Sequence, residues 1–96
     1  MKVFISQPMR GKADEQILAE RERAIRQAED LVGNRLEPID SFFKGSGLKP
    51  LQLLAKSLEL LAEADLAYFV RGWQDARGCR IEHECALQYG VRIIEE

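Results

Sequence analysis

Leu66-Ala67-Tyr68-Phe69-Val70, then Arg71–Arg77, then Gly78–Tyr89, then Gly90-Val91-Arg92-Ile93-Ile94, is the stretch whose reading decides the fold. The first five residues form an unbroken apolar run of strand length, the pattern of a strand buried on both faces. Arg71–Arg77 reads as a loop, Gly78–Tyr89 as a helix stopped by Gly90, and Val91–Ile94 as another strand. Two strands bridged by a helix form a βαβ unit, which makes the strands parallel.

Working outward, the same alternation continues upstream. Val3–Ser6 is an apolar, partly β-branched run ending in the turn-forming Gln7-Pro8-Met9-Arg10-Gly11. From Asp14, read as an N-cap, Ile17, Ala24, Ile25, Ala28, Leu31 and Val32 recur at helical spacing, and Gly33 offers the stop. Glu20-Arg21-Glu22-Arg23 is assigned to the solvated outer face of that helix. Arg35–Ile39 is a short strand candidate, and the glycines and serines of Asp40–Gly47 mark a mobile loop. Pro50 suits the first turn of a second helix whose broad apolar face contains Leu53, Leu54, Leu58, Leu60 and Leu61, with Ser57 at its centre. The order βαβαβαβ predicts an α/β fold with a parallel sheet and helices on both faces. Ligands bind such sheets at the carboxyl ends of the strands, where strand order reverses. Gln7–Lys12, Asp40–Gly47 and Arg71–Arg77 are the loops that reach this edge.

A chain of 96 residues, 46% hydrophobic and 31% charged, is read as one compact domain spanning residues 1–96. A pocket on so small a core is often completed by a second subunit, so a homodimer or higher homo-oligomer is expected. The 14 basic and 16 acidic residues are spread along the chain, which argues against nucleic-acid and membrane partners. Lys2–Ser6 opens directly into a strand pattern and no apolar run is long enough to span a bilayer, so a cytoplasmic location is expected. Cys79 and Cys85 are separated by ~9 Å along one helix axis, too far for a direct disulfide, and are read as free thiols. Cys79, Glu82 and His83 lack the paired spacing of metal sites, and no metal is expected.

Glu82 is the residue that points to chemistry. At ~100° per residue, Gly78, Cys79, Cys85, Ala86 and Tyr89 fall on one face of the third helix with Glu82 at its centre. A carboxylate in a core stripe is unfavourable unless paired, which suits either a reactive acid or a buried structural one. His83 falls off this face and is expected to be exposed. Arg10-Gly11-Lys12 offers two cations beside a helix start, a natural place for a phosphate, although an ordinary strand-to-helix turn explains it equally well. In Gly72-Trp73, the indole could stack on a planar base or simply pack.

Ile5-Ser6-Gln7-Pro8-Met9-Arg10-Gly11, Ala64-Asp65, Gly72-Trp73 and Gly78-Cys79-Arg80-Ile81-Glu82 with Ala86 resemble the small bacterial and phage members of the nucleoside 2-deoxyribosyltransferase-like superfamily. The resemblance spans nearly the whole chain and implies a flavodoxin-like, Rossmann-like sheet of order 2-1-3-4. It also implies cleavage or transfer at the N-glycosidic bond of a nucleoside or its 5′-monophosphate, as in deoxynucleoside 5′-monophosphate N-glycosidases, without a cofactor. Glu82 would then be the nucleophile, kept ionised by the helix dipole, forming a glycosyl-enzyme resolved by water or by a second base. Candidate substrate contacts are Ser6, Gln7, Met9, Arg10, Gly11, Asp40, Phe42, Ser57, Gly72, Trp73, Asp75 and Gly78. Asp75 and Asp40 are candidates for the general acid, whereas Asp65 belongs to the far end of its strand. Relatives carry an Asp where this chain has Ser57, an Asp or Ser at Ala76, and a Gly at Arg80. Those departures keep open a non-catalytic nucleotide-binding or sensing domain, and the leucine-rich second helix keeps open an oligomeric interaction module.

Overall fold

A computed structural model describes residues 1–43 and 47–96. The elements run β1 (Lys2–Ser6), α1 (Asp14–Val32), β2 (Glu37–Pro38), α2 (Pro50–Leu61), β3 (Leu66–Phe69), a 3-10 turn (Trp73–Asp75), α3 (Arg77–Gln88) and β4 (Arg92–Glu95). The four strands are all parallel, in the order β2-β1-β3-β4, the α/β topology expected from the sequence. Val3 lies opposite Leu66 and Ser6 opposite Phe69, so the ends of β1 and β3 come out level at the carboxyl edge. Of the loop read at Asp40–Gly47, residues 44–46 lie outside the described residues.

Alternation along the strands divides the core into two layers. Val3, Ile5, Leu66, Tyr68 and Val70 pack with Ala24 and Ala28 of α1 on one face. Phe4, Ala67 and Phe69 pack with Leu61 of α2 and Ala86 of α3 on the other. Fully burying a side chain such as Phe4 or Phe69 contributes ~1.5–3 kcal/mol each, so the central strands carry much of the stability. β2 is only two residues long at the sheet edge, where Pro38 gives up a backbone donor without breaking an interior ladder.

Several boundaries and faces differ from the sequence reading. Ala13, not Asp14, occupies the N-cap of α1, and no side chain caps it. Gly33 does end α1, at φ 80, with its N–H donating to Glu29 O at 2.8 Å. Leu31, in the last turn of α1, is 63% exposed and Tyr89, just past the end of α3, is 85% exposed, so neither joins the core as the spacing suggests. Arg21, assigned to solvent, is 7% exposed. Its guanidinium reaches beneath the loop after β2, donating to Ser41 Oγ at 3.1 Å and to Ile39 O. Among the described residues, no helix is long and apolar enough to cross a membrane.

Candidate functional site

The alternation that turns Phe4 toward α2 and α3 turns Ser6 the same way, at the end of β1. Ser6 Oγ donates to Glu82 Oε1 at 2.6 Å, joining the first strand to the last helix. On α3, Cys79, Glu82 and Ala86 are the buried residues, three and four apart, which is the spacing of one helix face. The Ser57 hydroxyl on α2 approaches the same carboxylate from a third element and favours its charged form. Glu82 thus sits where β1, α2 and α3 converge.

Burial governs its charge. Desolvation pushes the Glu82 carboxyl up to about 7, against the hydroxyls of Ser6 and Ser57, which favour the charged form. The expectation that the helix dipole holds Glu82 ionised is therefore corrected. Glu82 lies in the second turn of a helix that starts at Arg77, where the dipole has faded and loss of water dominates. Burial likewise pushes the neighbouring Cys79 thiol up to about 11, only partly offset by Ser6, so it stays protonated at neutral pH. Cys79 and Cys85 are both free thiols.

A cleft of about 1110 Å³ opens over this carboxylate at the carboxyl edge. Of the residues expected to contact substrate, Ser6, Gln7, Met9, Arg10, Phe42, Ser57, Gly72, Asp75 and Gly78 line it together with Glu82. Gly11, Asp40 and Trp73 do not. Gly11 serves the turn at φ 78, ahead of α1. Asp40 is exposed and its Oδ1 accepts from Phe42 N at 3.4 Å, which leaves Asp75 as the general-acid candidate in the cleft. Asp65, at the opposite end of β3, accepts from Lys2 N at 2.8 Å.

Trp73 faces away from the cleft. Its ring stacks on His83 at 4.1 Å between centroids and 14° between planes, and the Phe69 ring lies 5.5 Å away. His83 is half-buried, not exposed, and its Nε2 lies 2.7 Å from Glu95 Oε2 on β4. The pair fastens the 3-10 turn and α3 to the sheet.

The cationic part of the site keeps Arg10 but not Lys12 of the pair expected there. Lys12 Nζ pairs with Glu20 Oε2 at 2.9 Å and is committed there. Arg10 and Arg77 both line the cleft, and neither has an ion-pair partner among the described residues. Arg80 donates to Gln74 O at 2.8 Å. The first turn of α3 has no side-chain cap, and a Cβ added at Gly78 would meet nothing within 4 Å. Its backbone N–H groups therefore lie open beside the arginines. Sequence reasoning missed Arg77, Phe43, Leu51 and Ile81 as lining residues. Arg77 could have been found, as a cation at the end of a ligand-edge loop where a helix begins. Among the described residues, no cluster of His, Cys, Asp and Glu could hold a metal ion.

The chain belongs to the family described as domain of unknown function DUF4406, which it matches over residues 1–95. No significant match is found to a curated protein or to a solved structure.

Proposed function

We propose that the cleft binds a nucleoside or nucleoside 5′-monophosphate and that Glu82 cleaves or exchanges its N-glycosidic bond, as the resemblance to the nucleoside 2-deoxyribosyltransferase-like superfamily implies. The observation that carries this reading is a buried carboxylate beneath an open cleft, held by the Ser6 hydroxyl and approached by that of Ser57. That arrangement orients the oxygen without a charged partner that would quench it. In the ionised form, Glu82 attacks the anomeric carbon, a C–O bond forms, and the C–N bond breaks with its electrons going to the base. Asp75 relays a proton to the departing base. Water or a second base, giving up a proton to Asp75, then attacks the same carbon while its C–O bond to Glu82 breaks, which frees the carboxylate. Arg10, Arg77 and the open first turn of α3 suit a 5′-phosphate. The site functions within a homo-oligomer.

A non-catalytic nucleotide-binding domain is the second reading, favoured by Ser57 at the position where relatives carry an Asp. Incubation with nucleosides and nucleotides, followed by chromatography, separates the two. Base release abolished by Glu82→Gln, with a sugar adduct from a 2′-fluoro nucleotide mapping to the Glu82 peptide, is the expected result. Binding without release leaves the sensing domain. Neither binding nor release leaves an interaction module and overturns the proposal.

A further inference from the structure

Arg21 is a buried cation whose hydrogen-bond partners are neutral. Its residue is 7% exposed, and its guanidinium donates to the Ser41 hydroxyl at 3.1 Å and to the Ile39 carbonyl. Taking a cation out of water without a carboxylate to meet it is costly, so the contact points to a part of the molecule that depends on it. That part is the loop leaving β2. Ile39 N donates to Val3 O at 2.9 Å, which ties the start of the loop to β1, and Ser41 is itself 5% exposed. Further along, the Phe43 ring lies beside α2, with Lys56 Nζ 6.0 Å from its centroid. Between Ser41 and Phe43 the chain therefore passes from α1 to α2, which pack on opposite faces of the sheet.

Ser41, Phe42 and Phe43 all line the cleft, whereas Arg21 does not. With the phosphate assigned to Arg10 and Arg77 and the anomeric carbon to Glu82, the base is the part of the ligand still to be placed. The lining that suits it comes from the loop after β2 and from α2, where Phe42, Phe43, Leu53 and Leu54 are apolar and only half-buried. An aromatic ring offers a planar base a stacking surface whatever the base. We infer that Arg21 is a positioning residue of the base subsite, clamping Ile39 and Ser41 from α1 so that Phe42 and Phe43 stand as the wall on which the base lies. This rests on the nucleotide reading of the cleft. With the loop held in place before the ligand arrives, its conformational freedom is lost on folding and not on binding, which favours the complex.

The test compares ligands with and without a base. Affinities of ribo- and 2′-deoxyribonucleoside 5′-monophosphates, and of ribose 5-phosphate and 2-deoxyribose 5-phosphate, are measured by NMR titration for the native chain and for Arg21→Met. The variant should bind the nucleotides about tenfold more weakly, the scale of one base–aromatic stack, and the sugar phosphates as the native chain does. In a Phe42→Ala/Phe43→Ala chain, adding Arg21→Met should cause no further loss, because the wall it positions is gone. Where base release is measured, KM should rise by about the same factor with kcat little changed, since the wall holds the base equally before and during bond cleavage. Equal weakening of nucleotides and sugar phosphates would show general damage to the fold and overturn the inference. So would unchanged nucleotide affinity, or an Arg21→Met effect that persists without the two phenylalanines. If Arg21→Met does not fold, Ser41→Ala removes one of the two clamped groups from the loop side and should give the same selective loss for nucleotides. Its absence overturns the inference. A native chain that binds no nucleotide overturns the reading of the cleft and this inference with it.

Discussion

At Glu82 the same desolvation that poises a reactive carboxylate makes the residue a stability liability in its charged form. Its folded-state value of about 7 lies above the 4.5 of an unperturbed carboxyl, so the folded chain holds this proton over a range where the unfolded chain has lost it. Stability contributed by this group is therefore full below about 4.5 and is lost as pH rises towards 7, by as much as ~3 kcal/mol. Glu82→Gln removes that dependence. Denaturant titrations at pH 5 and pH 8 should show the variant gaining stability relative to the native chain as pH rises, while base release is lost. A stability difference that stays constant between the two pH values contradicts the assignment of a desolvated carboxyl. The sequence showed Glu82 to be out of place on an apolar face. It could not show that the hydroxyls of Ser6 and Ser57 meet this carboxylate, because they lie on elements that only the tertiary fold brings together.

The start of α3 and the loop after β1 bring Arg77 and Arg10 to the cleft, where the proposed 5′-phosphate would lie. Arg10→Ala and Arg77→Ala should each weaken nucleoside 5′-monophosphate binding at low salt by ~1.5–3 kcal/mol, the range for hydrogen bonds to charged groups, while leaving nucleoside affinity nearly unchanged. Equal losses for nucleoside and monophosphate would place the arginines away from the phosphate. The 3-10 turn makes a second claim at this scale. Trp73 is the sole tryptophan, so its fluorescence reports the stack on His83. Because the ring lies outside the cleft, nucleotide addition should leave that emission nearly unchanged. Emission that responds to nucleotide instead would return Trp73 to the binding surface. The periodicities were enough to find α1, α2, α3 and the central strands, since a 3.6-residue or continuous apolar pattern is local information. They failed for Arg21, which a charge count assigns to solvent although its guanidinium satisfies Ser41 and Ile39 beneath a loop. They failed for Trp73 too, because no local pattern says which side of a turn an aromatic ring takes.

Across the whole molecule, the cleft sets buried polar groups at its floor against exposed apolar side chains at its margin. Ser6, Gln7 and Glu82 are buried, whereas Leu51 is 75% exposed and Ile81 is 37% exposed on residues that line the same opening. At about 1110 Å³ the cleft exceeds the ~300–1,000 Å³ usual for a small-molecule pocket, so one nucleotide would leave its apolar margin in water. A margin of this kind on so small a chain is best covered by another subunit, and the self-complementary solution is a second copy. Light scattering at micromolar concentration should therefore give at least a dimer. Leu51→Lys should shift it towards monomer, because a charge buried in such an interface has no partner. The substitution should leave the thermal midpoint of the isolated subunit little changed, since the native side chain already lies in solvent there. It should also reduce nucleotide affinity if the partner closes the cleft. A native chain that is monomeric with and without nucleotide would show that the apolar margin needs no second copy, and that one subunit carries the whole site.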